Sequence, residues 1–433
     1  MEQGWEYDLV AGGERVFEIE STRIVYGPGA LRELGTEARG LGLTRVALFT
    51  DVRLARLEPV ATATAALCDA GCEVVCYDAV RVEPTDASFS DAAAFAAGGR
   101  FDGFVSVGGG SVMDTAKAAN LYGTYPGDFF AYVNAPVGDG KPIPGPLRPH
   151  IACPTTCGTG SEVTGIAICD VHERGTKTGI ASRRLRPTLA IVDPLCTRTL
   201  PSTVVACTGF DVLCHALESY TALPFTRRPP STGRSRPMAQ GANPFSDMAC
   251  VEALGIIGAH FERAVNDRDD ERARECMMYA ATLAGVGFGN AGVHGPHAMA
   301  YALAGAVRDY RAPDYPADAA LVPHGMAVIE SAPAWFRFAA HANPDRALHA
   351  AGLLGADTRS ASAADAGEVL AARIESLMRA TGMPLGIAAL GFAEPDAEAL
   401  ATNTLLQRRL LANAPCDVSR SDLIRLFKSA MQY

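Results

Sequence analysis

The chain has 433 residues, 48% hydrophobic and 20% charged, which is enough apolar material for a sizeable core and excludes a disordered chain. Its formal charge of -10, without any block of Lys or Arg, argues against a nucleic-acid partner, and the lack of an apolar run of about 18 residues predicts no membrane span. Its 12 cysteines form no CxxC pair and the acidic N-terminus has no apolar signal region, so we expect free thiols in a reducing compartment and a cytoplasmic protein.

The first half of the chain alternates short apolar runs with helical stretches. The runs predicted to be strands span 45–51, 72–80, 103–108, 150–156, 163–171 and 188–194. Helical stretches lie between them, for example at 59–71 and 86–99. Such alternation, with continuous Val, Ile and Ala runs, is typical of a parallel sheet covered on both faces. We therefore predict an α/β domain over residues 1–202.

Asp51 ends the first of these strands. A carboxylate here can accept hydrogen bonds from the ribose hydroxyls of an adenosine, and it would favour NAD over NADP by repelling a 2′-phosphate. The alternative is that Asp51 caps the turn that follows it, as strand-end aspartates commonly do. The residue pattern leaves both interpretations open.

A glycine turn follows the strand at 103–108. Gly108, Gly109 and Gly110 let the backbone approach a ligand closely, and Ser111 is placed to cap the next helix. Asp114 stands three residues after Ser111, as in a capping box, and the free N–H groups of a helix start favour an anion such as pyrophosphate. The alternative is a tight turn without a ligand.

A second glycine turn follows the strand at 150–156. Its hydroxyl side chains, which stand beside two glycines, belong to Thr155, Thr156, Thr159 and Ser161. Open α/β sheets bind their ligands at the ends of the strands. Two such turns therefore predict a nucleotide site in the first half of the chain.

Strand patterns nearly vanish from about residue 203. Apolar residues instead recur at three- and four-residue spacing in the segments 247–267, 271–288, 365–382 and 422–433. We therefore predict an all-helical domain over residues 203–433, with Ser419 or Ser421 as the cap of its last helix. Two long segments, 223–245 and 306–323, interrupt this pattern and are candidates for functional loops.

Four residues of the second half form a potential metal site. Asp211 and His215 are spaced i and i+4, which places both side chains on one face of a helix that is otherwise apolar. With His297 and His324 they make three imidazoles and one carboxylate, a complete ligand set for one divalent transition metal. The alternative is that they are ordinary polar residues on solvated faces.

Five motifs occur in a defined order: GGGSVMDTAK, TTCGTGSEVT, GFDVLCHALESY, NAGVHGPHAMAY and VPHG. In this order they resemble the iron-containing (group III) alcohol dehydrogenases, from about Phe17 to the C-terminus. VRVEPTDASF, GVGFGNAGVH and DYRAPDYPADAALVPHG make the chain similar to the hydroxyacid–oxoacid transhydrogenase branch. The resemblance implies a dehydroquinate synthase-like fold, in which an α/β dinucleotide-binding domain with a parallel sheet meets an all-helical metal-binding domain at the active-site cleft.

The resemblance also implies residue roles and cofactors. It makes Asp211, His215, His297 and His324 the metal ligands, with Fe(II) favoured over Zn(II). It places the pyrophosphate of a tightly bound NAD(H) at Gly108 to Ser111, and its adenosine ribose at Asp51. The hydroxyl residues of the second glycine turn would then line the cofactor.

The implied reaction moves hydride from 4-hydroxybutyrate to 2-oxoglutarate and yields succinate semialdehyde and 2-hydroxyglutarate. The common family pattern HAxAH has a histidine where this chain has Tyr301, so Tyr301 and His294 are the candidates for proton transfer. Both substrates are small carboxylates, and we expect a cationic anchor for them. The anchor is sought among Arg227, Arg228, Arg234 and Arg236, which could equally form a solvated basic loop.

Other functions compete with this one. An NAD-dependent alcohol or 4-hydroxybutyrate dehydrogenase would share every motif and differ only in releasing its cofactor in each cycle. A dehydroquinate synthase-like lyase would share the architecture, although the ordered motifs disfavour it. A non-catalytic metal-binding protein is disfavoured by the two glycine turns. For any of these enzymes we expect a homodimer or a higher homo-oligomer.

Overall fold

The computed structural model describes residues 7–171, 176–232, 236–316 and 320–433. Its eight strands are β1 (Arg23–Tyr26), β2 (Arg45–Phe49), β3 (Glu73–Tyr77), β4 (Gly103–Gly108), β5 (His150–Pro154), β6 (Ile166–Val171), β7 (Thr176–Ala181) and β8 (Leu189–Val192). Six of the strands form one parallel sheet in the order β1-β8-β5-β4-β2-β3. The parallel sheet predicted for the first half is therefore confirmed.

Helices cover both faces of this sheet. They are α1 (Leu34–Gly40), α2 (Glu58–Asp69), α3 (Asp86–Gly98) and α4 (Gly110–Thr124). In β2, Val46 and Leu48 share a core with α1 and α2, whereas Ala47 and Phe49 share another with α3 and α4. Successive side chains of a strand point to opposite faces, so a strand buried on both faces is apolar throughout.

One predicted strand of this half lies outside the parallel sheet. The run 163–171 does not join the parallel sheet, because β6 pairs antiparallel with β7 in a separate two-stranded ribbon. Burial alternates along β6, since only one of its faces is covered. Two strands, β1 and β7, were not predicted; β1 has only four residues, which are exposed or half-buried at the edge of the sheet.

The second half of the chain is helical, as predicted. Its helices are α5 (Ser202–Tyr220), α6 (Pro244–Asn266), α7 (Glu271–Ala291), α8 (Gly295–Gly305), α9 (His324–Ile329), α10 (Ala332–Ala339), α11 (Pro344–Leu353), α12 (Ala366–Ala380), α13 (Ala397–Thr404), α14 (Arg408–Leu411) and α15 (Arg420–Ser429). No strand follows Val192 in the described part of the chain. The division of the chain into a sheet half and a helical half therefore agrees with the dehydroquinate synthase-like fold that the family resemblance implies.

The helical half packs directly against the second glycine turn. Gly160 has φ +58°, and a Cβ added to it would lie 2.6 Å from the Cα of Gly285 on α7. Two glycines at this crossing let the backbone of the turn touch the helix. The close approach brings the carboxyl end of β5 next to the helices that carry the predicted ligands.

The two predicted helix caps had different outcomes. Ser419 caps α15 in a capping box with Asp422, as one of the two alternatives predicted. Ser111 does not cap α4, which begins at Gly110 after Gly109 and has no side-chain cap. The Ser111 hydroxyl instead accepts a hydrogen bond from the backbone N–H of Glu83 at 3.1 Å.

Candidate active site

A cavity of about 430 Å³ separates the carboxyl ends of the parallel strands from the helical half. On the sheet side it is lined by Asp51, Gly109, Gly110, Ser111, Asp114, Thr155, Thr156, Thr159 and Ser161. On the helical side it is lined by Asp211, His215, His297, Tyr301 and His324. Of the residues predicted to bind the cofactor, bind the metal or transfer a proton, only Gly108 and His294 do not line it. Tertiary structure thus brings the two glycine turns and the four predicted ligands to one space.

The two glycine turns face each other across this cavity. A Cβ added to Gly109 would lie 3.1 Å from Thr156, and one added to Gly110 would lie 2.5 Å from Thr159. Glycine is thus required at the start of α4 because the second turn approaches it too closely for a side chain. The bare N-terminus of α4 is open to an anion such as a pyrophosphate.

Asp114 links the two turns. Its carboxylate accepts hydrogen bonds from the Ser161 hydroxyl at 2.6 Å and from the backbone N–H of Ile168 at 2.9 Å. The buried Lys117 donates to the carbonyl and the hydroxyl of Ser161 at 2.7 and 2.6 Å. Burial raises the pKa of Asp114. These bonds hold the second turn in place, a role that the capping-box interpretation had not predicted.

Asp51 caps the turn that follows it, which is the alternative to a ribose-binding role. Its Oδ1 accepts hydrogen bonds from the backbone N–H groups of Arg53 and Leu54, at 2.8 and 3.0 Å. It also lines the cavity, so its second carboxylate oxygen can face a ligand. The ribose role remains a prediction.

Three of the predicted metal ligands, all histidines, converge on a carboxylate oxygen of the fourth, Asp211. Asp211 Oδ1 lies 3.7 Å from Nε2 of His215, 3.5 Å from Nε2 of His297 and 3.6 Å from Nε2 of His324. These separations are too long for good hydrogen bonds. They match the spacing of about 3.4 Å expected between ligand atoms that surround one ion at roughly 2.1 Å.

The unsatisfied polar atoms of this cluster also fit a metal. Asp211 Oδ1 and His297 Nε2 are buried and have no hydrogen-bond partner. Ligand atoms of Asp211, His215 and His297 lie within 4.8 Å of one another, and His324 borders the group from the cavity side with 21% of its side chain exposed. Burial works to raise the pKa of Asp211, but the imidazoles hold it below its usual range. A divalent cation would satisfy all of these atoms together.

Glu218 is a functional residue that the sequence analysis missed. Its Oε1 lies 2.6 Å from Nδ1 of His297, and its Oε2 accepts from the backbone N–H of His294 at 2.6 Å. Burial works to lower the pKa of His297, yet the charges of Glu218 and Asp211 raise it to about 9. Glu218 therefore holds a proton on Nδ1 and turns Nε2 towards Asp211. The spacing of Asp211, His215 and Glu218 along one helix face could have revealed it.

The two candidates for proton transfer differ in their access to the cavity. His294 is fully buried, its Nδ1 accepts from Gly295 N and its Nε2 lies 3.1 Å from the Thr221 hydroxyl. Burial lowers the pKa of His294 to about 4. Because both ring nitrogens are bonded and the ring lies outside the cavity, His294 is not placed to contact a substrate. Tyr301 does line the cavity, with its ring centroid 6.0 Å from that of His324.

The basic residues expected to anchor substrate lie elsewhere. Arg228 donates to the carbonyl of Ala239, and Arg236 donates to the carbonyl of Ser231 at 3.3 Å. Arg227 is exposed and does not line the cavity, and Arg234 lies outside the described residues. These contacts hold the loop in place, so the anchor hypothesis is wrong for Arg227, Arg228 and Arg236.

Comparison with known proteins shows that the cytoplasmic prediction is wrong. Hydroxyacid-oxoacid transhydrogenase, mitochondrial, from Mus musculus is 49% identical over 419 residues, covering 96% of this chain and 90% of that protein. The protein of the same name from Bos taurus is 48% identical over the same coverage. Free thiols describe a reducing environment and do not distinguish one such compartment from another. Among the described residues, no helix is long and apolar enough to cross a bilayer.

Solved structures and family profiles agree with the fold. A 1,3-propanediol oxidoreductase superimposes with a TM-score of 0.84 at 30% identity, covering 96% of this chain and all of that one. An alcohol dehydrogenase from Oenococcus oeni gives 0.83 at 27% identity, with the same coverage. Residues 21–194 match "Iron-containing alcohol dehydrogenase", and residues 238–431 match "Fe-containing alcohol dehydrogenase family, C-terminal". The chain is therefore an oxidoreductase that belongs to the iron-containing alcohol dehydrogenase family.

Proposed function

We propose that this enzyme transfers hydride from a hydroxyacid to an oxoacid through a nicotinamide that stays bound, with 4-hydroxybutyrate and 2-oxoglutarate as the substrate pair. The observation that carries the proposal is the meeting, in one cavity, of two facing glycine turns and a cluster of three imidazoles around one carboxylate. The 48–49% identity to transhydrogenases over 96% of the chain supports this reaction over simple alcohol oxidation.

Asp211, His215, His297 and His324 would hold the metal, which we propose to be Fe(II), with Zn(II) as the alternative. A bound divalent metal acts as a Lewis acid on the hydroxyl or carbonyl oxygen of a substrate. Three imidazoles and a carboxylate suit both ions. Asp211 lies at the centre of the cluster and supplies the negative charge that balances the cation.

The glycine turns would hold NAD(H), whose nicotinamide accepts and returns the hydride. The pyrophosphate would lie at the start of α4, beside Gly109, Gly110 and Ser111, and the ribose of the adenosine beside Asp51. The hydroxyls of the second turn complete this wall of the cavity. We accordingly propose that residues 1–202 bind the dinucleotide and that residues 203–433 hold the metal.

Tyr301 is the candidate to contact the reacting oxygen. Burial raises the pKa of Tyr301 to about 12, so the phenol keeps its proton at neutral pH and can donate a hydrogen bond. It takes the place of the family histidine on the same helix, α8, that carries His297. We also propose that the partners are small carboxylates and further copies of the chain, as a homodimer or a higher homo-oligomer.

In a transhydrogenase, the hydroxyacid loses a hydride and a proton to become an aldehyde or ketone, and the oxoacid takes up both. The cofactor is reduced and reoxidised, so the cycle needs no free NAD. A 4-hydroxybutyrate dehydrogenase would instead release NADH in each cycle. Both reactions use the same residues, and only the fate of the cofactor separates them.

The experiment is to incubate the purified, metal-loaded protein with 4-hydroxybutyrate and 2-oxoglutarate without added NAD, and to measure 2-hydroxyglutarate. We expect its formation, and none when either acid is omitted. Formation of product only after NAD is added, with free NADH accumulating, would show a dehydrogenase instead. His297→Ala is the matched variant and should lose both bound metal and product.

A further inference from the structure

Arg409 lies in the cavity close to Tyr301. It belongs to the short helix α14, whose next residue, Leu410, is buried in an apolar cluster with Tyr301 and Ala298. That packing fixes α14 against α8, and both Arg409 and Leu410 line the cavity. Arg409 is solvent-accessible as a residue and lines the cavity, so it is within reach of a molecule bound there.

Arg409 has no hydrogen-bond or ion-pair partner among the described residues. The other cations on the cavity wall do have partners. Lys177 pairs with Glu83 and lies 3.6 Å from Asp170, and Arg53 donates to the carbonyl of Asp314 at 3.2 Å. Arg409 is thus a cation of the cavity wall whose charge the described protein leaves uncompensated.

The two proposed substrates share one feature beyond the reacting carbon. In 4-hydroxybutyrate, two methylene groups separate the hydroxyl-bearing carbon from the carboxylate. In 2-oxoglutarate, two methylene groups also separate the carbonyl carbon from the distal carboxylate. A single cation at a fixed place relative to the reacting oxygen can therefore hold both acids in turn.

We propose that Arg409 binds this shared distal carboxylate and so positions both substrates for the two half-reactions. The inference rests on the proposed function for the identity of the acids. A guanidinium suits the task because its planar fork binds a carboxylate through two parallel hydrogen bonds. Because the charge of Arg409 is not balanced by a carboxylate of the protein, it is available to pair with the carboxylate of a bound substrate.

The test compares Arg409→Ala and Arg409→Lys with Arg408→Ala. Arg408 is the matched control because it is an exposed neighbour in α14 that does not line the cavity. The first measurement is the calorimetric Kd of glutarate, which keeps both carboxylates of 2-oxoglutarate but cannot react. The second is the ratio of kcat/KM for 4-hydroxybutyrate to that for 1,4-butanediol, which lacks the carboxylate.

We expect Arg409→Ala to weaken glutarate binding roughly 10- to 100-fold and to lower the kcat/KM ratio by a similar factor, as for loss of a hydrogen bond to a charged group. Arg409→Lys should retain part of the binding because it keeps the charge without the fork. Arg408→Ala should match the wild-type protein in both measurements.

Three results would overturn the assignment: wild-type affinity for glutarate in Arg409→Ala, an unchanged substrate ratio, or failure of the wild-type protein to bind glutarate. The proposed function fails separately, through absence of NAD-independent transhydrogenation. Loss of glutarate binding in Arg409→Ala would then still identify the anchor of a carboxylate-specific dehydrogenase.

Discussion

At the residue scale, the candidate metal site depends on a carboxylate that is not itself one of the four predicted ligands. Glu218 is fully buried, and its two oxygens bind the ring of His297 and the backbone of His294. The first bond fixes which nitrogen of His297 faces Asp211. The second holds the start of α8, the helix that carries His297. One side chain of α5 therefore orients a ligand of another helix.

Replacing Glu218 by Ala should weaken metal binding about 10- to 100-fold, because His297 would lose the partner that sets its tautomer and orientation. Glu218→Gln should lose less, since its amide oxygen can still accept from Nδ1. The measurement is a metal titration against a competing chelator.

Ser219→Ala is the control for this experiment. Ser219 is a buried neighbour on α5 whose hydroxyl donates to the carbonyl of Gly292 and to no predicted ligand. Its metal affinity should stay at the wild-type value. Wild-type affinity in Glu218→Ala would show that His297 is oriented by other contacts.

At the scale of elements, the sheet side of the cavity is formed by two glycine turns that hold each other in place. The first turn precedes α4 and the second follows β5, and their close approach excludes side chains at Gly109 and Gly110. Asp114 on α4 and Ser161 on the second turn tie them together. The shape of this wall therefore depends on both turns.

Gly110→Ala should weaken NADH binding by about tenfold or more, because the new methyl would displace Thr159 at a cost of roughly 1–3 kcal/mol. Fluorescence titration of NADH measures the change. Gly98→Ala, at the end of α3, is the control, since a Cβ there meets nothing within 4 Å. Equal NADH affinity in both variants would argue against a cofactor at this wall.

At the scale of the whole molecule, the C-terminus closes on the end of α9. Glu330 is fully buried there, with one carboxylate oxygen accepting from Gly386 N at 2.7 Å and the other without a partner. The hydroxyl of the last residue, Tyr433, donates to the Glu330 carbonyl at 2.9 Å. Burial raises the pKa of Glu330 to about 8, so the folded protein keeps this acid protonated near neutral pH.

Because Glu330 is buried, its contribution to the stability of the folded protein should fall as the pH rises. The unfolded chain loses the proton near its ordinary pKa of about 4.5, whereas the folded chain keeps it up to about 8, so the folded state binds more protons between these values. Glu330→Gln cannot ionise and should escape this loss. The free energy of unfolding of Glu330→Gln, minus that of the wild-type protein, should therefore increase by about a few kcal/mol from pH 5 to pH 8.

Urea unfolding at pH 5, 6.5 and 8 measures the effect. Glu398→Gln is the control, since 74% of the Glu398 side chain is exposed on α13 and its change should leave the pH dependence as in the wild-type protein. A constant difference between Glu330→Gln and the wild-type protein across this range would show that Glu330 is ionised in the folded state.

The sequence by itself determined what depends on local periodicity and on ordered motifs. Continuous apolar runs predicted most strands of the parallel sheet, and the i, i+4 spacing placed Asp211 and His215 on one helix face. The motif order predicted the family and the grouping of His297 and His324 with that pair. These properties follow from neighbouring residues or from a whole-chain pattern, so no three-dimensional contact was needed to find them.

Only the tertiary structure decided which side chains meet across distant segments. It moved β6 out of the main sheet, because strand pairing depends on partners such as β7 that periodicity does not identify. It joined Glu218 to His297. It also placed Arg409, and none of Arg227, Arg228 and Arg236, on the wall of the cavity. Arg409 lies in a helix of four residues without a pattern of its own. A cavity wall is built from segments far apart in sequence, and its uncompensated charges appear only once those segments are packed.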